Sequence, residues 1–245
     1  MREKIKTGIE GLDRMLLGGI PELNQVVVSG GPGTGKTLFG FEFLYKGAKL
    51  GEPGVLVPLE ESPEMIIENA KAAFTEFDDI DKMVKDQKLA ICDTMDLRSH
   101  LNSGGNPRDS FAQLTTQIES IIETTHAKRV FFDSLSILKL LLKDEQEYRS
   151  ISVDLVNNFR RLKLTSILTV EIDVAEKSRM FFQPEFFFYD GIITMYSSGD
   201  GGANRSLTLE IIKMRGTNHS RATVPYEITP RGVDILSLAQ RGGGF

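Results

Sequence analysis

The apolar positions change their spacing along the first two thirds of the chain. Short apolar runs predict buried strands at residues 26–28, 55–59, 89–92, 129–132 and 166–171. Between these runs, apolar residues recur at the spacing of a helix, as in residues 111–122 and 151–162. Strands that alternate with helices predict an α/β fold, with a mainly parallel sheet covered by helices on both faces.

Three shorter segments also have a clear pattern. Residues 9–16 carry apolar residues at helical spacing and are followed by two glycines, so a short helix is expected before the first strand. Ser62 and Pro63 predict the N-cap and the first residue of a helix that runs to residue 74. Residues 78–87 are charged and are expected to be solvated.

The last third of the chain is strand-like. Turn-forming residues separate four candidate strands, at residues 191–197, 205–215, 222–228 and 232–236. No helical period lies between them, which is typical of strands joined by tight turns. This part is therefore predicted to form antiparallel strands that extend the sheet at its carboxyl-terminal end.

A phosphate-binding loop follows the first predicted strand. Gly30, any four residues, Gly35, Lys36 and Thr37 open a helical pattern directly after it. The glycines let backbone N–H groups point at phosphate oxygens, while Lys36 supplies a positive charge and Thr37 a hydroxyl ligand for Mg²⁺. ATP or ADP is therefore expected to contact one continuous run, Gly31, Pro32, Gly33, Thr34, Gly35, Lys36, Thr37 and Leu38.

Acidic residues follow two other predicted strands. Asp133 comes after an apolar strand, as the Mg²⁺-binding acid of a P-loop protein does, although an acid there can instead cap the next helix. Glu60 and Glu61 stand at the carboxyl end of the second strand, where ligands bind in such sheets. We expect one of them to be the catalytic base and the other to support the start of the next helix.

Size and composition limit the class of protein. A chain of 245 residues without a linker predicts one domain, residues 1–245, in which residues 241–245 form a mobile tail. No apolar run reaches the roughly 20 residues of a membrane span and no secretion signal is visible, so a cytoplasmic protein is expected. The net charge of −5 gives no global basic footprint for nucleic acid, which leaves only local basic patches, and the single cysteine, Cys92, excludes a cysteine-based zinc site.

Five segments of the chain resemble one family. TGIEGLDRMLLGGIPE, SGGPGTGKTLFGFEFLYKGA, GVLVPLEESPE, VFFDSLS and LEIIKMRGTNHS, in this order, look like the KaiC-like ATPases of the RecA superfamily. The resemblance extends from about Lys6 to Leu236. It implies a RecA-type core and a homo-oligomeric ring, commonly a hexamer, with ATP and Mg²⁺ bound between neighbouring subunits.

The resemblance also implies roles for single residues. Glu60 looks like the catalytic glutamate, with Glu61 beside it, and Lys213 and Arg215 look like residues that reach the phosphates held by the next subunit. Two further residues of the same run, Thr217 and His219, resemble positions that touch the neighbour's nucleotide. From the residues alone, Lys213 and Arg215 can equally be a solvated strand edge that blocks sheet association. Residues 229–231 have no clear match in the family, so the base contacts are not identified.

Three functions compete on these observations. The first is a Mg²⁺-dependent ATPase ring with a regulatory or signalling task, acting on a protein partner that the sequence does not identify. The second is a slowly hydrolysing scaffold or switch that acts through assembly. The third, a RadA-like DNA recombination protein, ranks last, because basic residues in loops 139–150 and 174–189 are balanced by acidic ones. An aromatic run from Phe181 to Phe188 is either a subunit or partner surface or core under a loop.

Overall fold

The computed structural model describes residues 2–142, 144–172, 184–199 and 206–236. The described strands are β1 Lys4–Ile5, β2 Ile20–Pro21, β3 Gln25–Gly30, β4 Gly54–Pro58, β5 Leu89–Ile91, β6 Arg129–Asp133, β7 Thr165–Glu171, β8 Gly191–Ser198, β9 Ser206–Met214, β10 Val224–Thr229 and β11 Gly232–Ile235. The described helices are α1 Glu10–Met15, α2 Lys36–Lys49, α3 Pro63–Ala73, α4 Ile80–Lys85, α5 Met95–Asn102, α6 Pro107–Thr125, α7 Leu135–Leu141 and α8 Glu145–Arg161, with a 3₁₀ helix at Pro184–Phe187. The predicted tail at residues 241–245 lies outside the described residues.

Nine of the strands form one sheet, in the order β11-β10-β9-β8-β3-β7-β6-β4-β5. The strands from β8 to β5 are parallel, and β9, β10 and β11 are antiparallel to their neighbours. The predicted α/β class is confirmed. The expectation of antiparallel pairing throughout the last third is wrong for β8, which pairs in parallel with β3. The connection that precedes β8, residues 172–190, is long enough for the crossover that parallel pairing requires.

Alternate residues of the central strands face opposite sides of the sheet. Val26 and Val28 of β3 belong to a core that includes α1 to α4, whereas Val27 belongs to a core that includes α5 to α8. The neighbours Phe131 and Phe132 of β6 are divided between the two cores in the same way. Because helices cover both faces, these strands are buried on both faces and carry continuous apolar runs in their middle. None of the described helices is long and apolar enough to cross a membrane.

Local signals predicted some helices and missed others. The Ser62 hydroxyl accepts a 3.3 Å hydrogen bond from the Met65 N–H, so the predicted N-cap of α3 is confirmed. Residues 78–87 are not wholly solvated, because they contain α4, whose Ile80 and Met83 are buried. Helix α5 and the division between α7 and α8 have no strong signal in the sequence. Short helices carry too few apolar residues to establish a period.

The parallel strands end together at one edge of the sheet, which we call the carboxyl edge. β3 delivers Gly30 to this edge, β4 delivers Pro58, β6 delivers Asp133 and β7 delivers Glu171. Gly30 lies opposite Glu171 in the register, and Pro58 lies opposite Asp133. Residues far apart in sequence therefore meet where ligands bind in open parallel sheets.

A buried carboxylate lies under the last pair of strands. Glu42 of α2 is 2% exposed, and its Oε2 accepts a 2.6 Å hydrogen bond from the Val233 N–H. Burial raises the pKa of Glu42 to about 7, against the opposing effects of this N–H and of the Lys46 ammonium. Gly232 packs so closely that a Cβ there would lie 2.1 Å from Oε1 of Glu42. The charged form of Glu42 is therefore destabilising at neutral pH.

Glu42→Gln is expected to change how stability depends on pH. The pKa of Glu42 is about 7 in the folded chain and 4.5 as a free side chain, so the folded chain binds more protons between these values. The contribution of Glu42 to the free energy of unfolding is complete below the lower pKa and falls as the pH rises through the upper one. Relative to the native chain, the variant should therefore gain about 3 kcal/mol between pH 4.5 and pH 8. Urea unfolding at both pH values measures this gain.

Glu227→Gln is the matched control, because Glu227 is exposed on β10 in the same strand pair. Its stability relative to the native chain should be the same at both pH values. If the difference in free energy of unfolding between Glu42→Gln and the native chain is the same at both pH values, the raised pKa of Glu42 is contradicted.

Candidate active site

Glycines shape the loop between β3 and α2. Gly33 and Gly35 have φ values of 75° and 85°, in the left-handed region that side chains disfavour. The buried Thr34 hydroxyl donates to the Gly31 carbonyl at 2.8 Å, which closes the turn. α2 begins at Lys36, so the positive end of its dipole faces the loop. The predicted phosphate-binding segment therefore has the strand, loop and helix that an anion site requires.

Lys36 lies among oxygen atoms of the loop and the carboxyl edge. Its Nζ donates to the Gly31 carbonyl at 3.0 Å and lies 3.8 Å from Oε1 of Glu171. Burial lowers the pKa of Lys36, and the carboxylates of Glu171, Asp133 and Glu60 oppose that effect. Sequence reasoning assigned no role to Glu171. The available signal was an acidic residue at the end of a predicted strand.

Asp133 is joined to the P-loop helix by a hydrogen bond. The Thr37 hydroxyl donates to Oδ2 of Asp133 at 2.8 Å, and the Thr169 hydroxyl donates to Oδ1. Burial raises the pKa of Asp133, although both hydroxyl groups and Lys36 favour its charged form. The helix-capping alternative does not describe this side chain, because Ser134 is the N-cap residue of α7.

The oxygen atoms of Thr37 and Asp133 fit Mg²⁺. Carboxylate and hydroxyl oxygens are ligands that Mg²⁺ accepts, and it usually takes only one or two of them together with phosphates and water. A nearby cation would also stabilise the buried carboxylate in its charged form. Within the described ranges, no group of three or more His, Cys, Asp or Glu side chains could hold a metal ion. The donor set therefore suits a metal that arrives with a nucleotide.

The two neighbouring glutamates have different partners. Oε2 of Glu60 accepts a 3.1 Å hydrogen bond from the Ser134 hydroxyl, which holds Glu60 at the carboxyl edge beside Asp133. Oε2 of Glu61 instead accepts a 2.9 Å hydrogen bond from the Asn69 amide of α3. Glu60 is thus held at the carboxyl edge and Glu61 against α3, and the assignment of one glutamate as catalytic base stays a prediction.

Lys213 and Arg215 lie near the opposite, amino edge of the parallel strands. Met214, between them, pairs with Gly191 of β8, which pairs with Val26 near the start of β3. Val26 is roughly 13 Å along the strand from Gly30, where the P-loop begins. The structure therefore does not bring these two cations to the P-loop of their own chain.

Both cations bind the 3₁₀ helix and the residues that follow it. Lys213 Nζ donates to the carbonyls of Phe186, Phe187 and Tyr189 at 3.3, 3.4 and 2.6 Å. Arg215 Nη2 donates to the Phe187 carbonyl at 3.2 Å. Burial lowers the pKa of Lys213, and Arg215 nearby adds to this effect. The two side chains thus face the same side, as the sequence spacing predicted.

Asp190, which the sequence did not single out, holds Arg215. Its Oδ1 lies 3.4 Å from Arg215 Nη1, and its Oδ2 accepts hydrogen bonds from Arg160 Nη2 at 2.9 Å and from the Gln25 N–H at 3.1 Å. Gln25 is the first residue of β3. The strand that ends in the P-loop is therefore also bonded to the carboxylate that holds Arg215.

Thr217 and His219 lie beside the amino-terminal segment. Lys4 Nζ donates to Oγ1 of Thr217 at 2.7 Å, and Thr217 donates to the Asn218 carbonyl at 2.8 Å. Nδ1 of His219 lies 2.9 Å from the Ser220 carbonyl. None of these contacts involves a residue of the chain's own P-loop.

The strand β10 returns to the P-loop, which sequence reasoning did not predict. The Tyr226 hydroxyl donates to the Thr34 carbonyl at 2.6 Å. A Cβ on Gly35 would lie 2.6 Å from Cδ1 of Ile228, so these two residues are in close contact. No local signal in residues 224–229 reveals a contact with a loop about 190 residues earlier.

Some predicted surfaces fall partly outside the described residues. In the aromatic run, Phe186 is buried, whereas Phe187 is 63% exposed. Phe186 therefore fits the core alternative, the interface alternative stays a prediction, and Phe181 and Phe182 lie outside the described residues. Residues 174–183 and Lys143, from the two loops considered for DNA binding, lie outside them as well.

Comparisons with known proteins agree over nearly the whole chain. The family model described as KaiC, an ATPase, matches residues 5–240. A UPF0273 protein of Thermotoga maritima is 36% identical over 96% of this chain and 96% of its own length. The circadian clock oscillator protein KaiC of Synechococcus elongatus is 33% identical over 96% of this chain, which matches 44% of that protein.

A solved structure has the same fold. The crystal structure of a KaiC-like protein from the archaeon Pyrococcus horikoshii superposes with a TM-score of 0.77 at 32% identity. The match covers 97% of this chain and 100% of that chain. It therefore includes most of the sheet and the P-loop edge.

Proposed function

The chain belongs to the KaiC family of ATPases, and from this premise we propose that it hydrolyses ATP with Mg²⁺ in a homo-oligomeric ring whose nucleotides lie between neighbouring subunits. One observation carries the proposal, the 2.8 Å hydrogen bond between Oγ1 of Thr37 and Oδ2 of Asp133. It joins the P-loop helix to a buried acid on a neighbouring strand. Binding a triphosphate with its metal requires this pair of oxygen ligands side by side.

In this proposal, each group at the carboxyl edge has a separate role in binding or hydrolysing ATP. The P-loop N–H groups orient the phosphates, and Lys36 compensates the charge of the terminal ones. Thr37 and Asp133 would hold Mg²⁺, which would supply positive charge to offset the negative charge of the phosphates. Glu60 takes the proton of the attacking water at its carboxylate. Glu61, bonded to Asn69 in the middle of α3, ties the turn after β4 to that helix.

The position of Lys213 and Arg215 supports a site shared between subunits. Neither side chain is near its own P-loop, because the parallel strands separate them. In a ring built head to tail, the amino edge of one subunit can face the carboxyl edge of the next. Lys213 and Arg215 would then reach the neighbour's phosphates, with Thr217 and His219 beside the same nucleotide. The family resemblance suggests six subunits.

A nucleotide-dependent switch is the second candidate, and the contacts of Lys213 and Arg215 favour it. Both side chains are bonded to carbonyls of their own subunit, so they must exchange those bonds to act on a neighbour. Turnover would then depend on assembly. For either function we propose a regulatory or signalling output. We propose a protein as the partner in preference to nucleic acid, because the net charge of −5 offers no general basic surface.

Removal of Mg²⁺ is expected to abolish turnover. Without the metal, Lys36 and the neighbour's Arg215 compensate only part of the charge on the transferred phosphoryl group, and the oxygen atoms of Asp133 and Thr37 supply no positive charge. Phosphate release from ATP should fall to background in excess chelator and return when Mg²⁺ is added back. A Lys36→Ala sample purified in parallel defines the background from contaminating ATPases. Undiminished turnover in excess chelator would contradict the proposed metal role.

A further inference from the structure

The strand pair β10 and β11 contacts the P-loop through two residues of β10, and we call this strand pair the brace. The Tyr226 hydroxyl donates to the Thr34 carbonyl at 2.6 Å, in a contact that is buried. Two residues further along β10, Ile228 packs against Gly35, the residue that precedes α2. Thr34 and Gly35 are joined by one peptide bond. Both β10 contacts therefore act on a single peptide plane.

We propose that Tyr226 is a positioning residue for nucleotide binding, which fixes the direction of the Gly35 N–H through its hydrogen bond to the Thr34 carbonyl. A trans peptide unit is planar, so its C=O and N–H point in opposite directions. A carbonyl held by Tyr226 on one side orients the N–H toward the other side. Gly35 itself cannot hold that direction, because glycine rotates more freely than any other residue.

The brace also contacts α2, the helix that begins directly after the P-loop. Glu42 of α2 accepts a hydrogen bond from Val233 of β11 and packs on Gly232. Tyr226 of β10 contacts Thr34, just before α2. α2, the strand pair and the loop therefore form a closed circuit of contacts. In such a circuit, the loop geometry depends on the strand pair even before a nucleotide binds.

The ordinary alternative is a core tyrosine whose hydroxyl is merely satisfied. Tyr226 is 2% exposed, so its ring contributes to stability in any case. Burial raises the pKa of Tyr226, so the hydroxyl stays protonated and remains a donor. The two roles differ in what removal of the hydroxyl does. A core role changes stability alone, whereas a positioning role weakens nucleotide binding more than the loss of stability explains.

Tyr226→Phe tests the proposal, with Tyr45→Phe as the matched control. Tyr45 is also buried and its hydroxyl also donates one hydrogen bond, at 2.7 Å to Asp79. It lies in α2 about 12 Å along the helix from Thr37. Both variants lose one hydroxyl and should lose similar thermal stability, but only one loses a contact with the P-loop.

Calorimetric titration of the full chain with Mg·ADP measures the effect without hydrolysis. Tyr226→Phe should raise the Kd about three- to tenfold, the effect of one lost hydrogen bond, and raise the KM for ATP by a similar factor. Tyr45→Phe should bind Mg·ADP like the native chain. Native affinity in Tyr226→Phe, with the same loss of thermal stability as Tyr45→Phe, would overturn the proposal.

Ile228→Ala gives a second test that keeps the Tyr226 hydroxyl. Removing the side chain that packs on Gly35 should also raise the Kd for Mg·ADP, and unchanged affinity would count against the brace. If Tyr226→Phe does not fold, this variant decides the question. The inference rests on the proposed nucleotide site, so a native chain that does not bind Mg·ADP would overturn both. If the native chain binds Mg·ADP and both Tyr226→Phe and Ile228→Ala bind it with the same affinity, this inference alone is overturned.

Discussion

Glu60→Gln is expected to bind Mg·ATP with native affinity and to release phosphate at least about a hundredfold more slowly. Glutamine has the shape of glutamate but does not accept a proton from the attacking water. The Ser134 hydroxyl can still donate to the remaining side-chain oxygen, so the geometry of the carboxyl edge should be preserved. Single-turnover phosphate release and equilibrium binding of ATP separate the two effects.

Glu61→Gln is the matched control, because the same change occurs at the next residue. Glu61 is bonded to Asn69 of α3, so its replacement should affect stability more than turnover. Normal turnover in Glu60→Gln together with a slow Glu61→Gln would reverse the assignment. Normal turnover in both variants would mean that neither glutamate is the base.

Arg215→Ala is expected to lower turnover by about a thousandfold or more, the effect of an arginine that compensates charge on a transferred phosphoryl group. The P-loop, Asp133 and Glu60 would remain intact in each subunit, so binding of ATP should change little. Steady-state turnover is measured at saturating ATP, with ring size checked by mass.

Arg161→Ala is a suitable control for Arg215→Ala. Arg161 is exposed to a similar degree, with 58% of its side chain exposed against 54% for Arg215, and it is paired with Glu119. Its replacement should leave turnover unchanged. Equal effects of the two variants would indicate a general loss of surface charge, and native turnover in Arg215→Ala would contradict its proposed role.

The sequence predicted the parts of the site that depend on neighbours in the chain. The P-loop is recognisable because its glycines, Lys36 and Thr37 stand at fixed offsets between a strand and a helix. The meeting of this loop with Asp133 was predicted as well, since parallel strands end at the same edge. Whether Asp133 caps a helix or faces Thr37 was not decided by sequence, because both arrangements require an acid after a strand.

The remaining features depend on contacts between distant residues. The parallel pairing of β8 with β3 joins strands far apart in sequence, and no periodic signal in the sequence predicts it. The bonds of Glu171 to Lys36, Asp190 to Arg215 and Tyr226 to Thr34 each join segments that only the order of strands in the sheet brings together. A pattern of apolar residues specifies which face of a strand is buried, but not which strand lies next to it.

The most direct test of a site shared between subunits is to mix Arg215→Ala subunits with Glu60→Gln subunits, each nearly inactive alone. In a mixed ring, an Arg215→Ala subunit with intact Glu60 can lie beside a Glu60→Gln subunit with intact Arg215. Random exchange in equal amounts should restore about a quarter of native turnover, since that fraction of interfaces combines both intact residues. Recovery should appear only after subunits exchange. Absence of recovery in rings whose mixed composition is verified by mass would contradict a site completed by the neighbouring subunit.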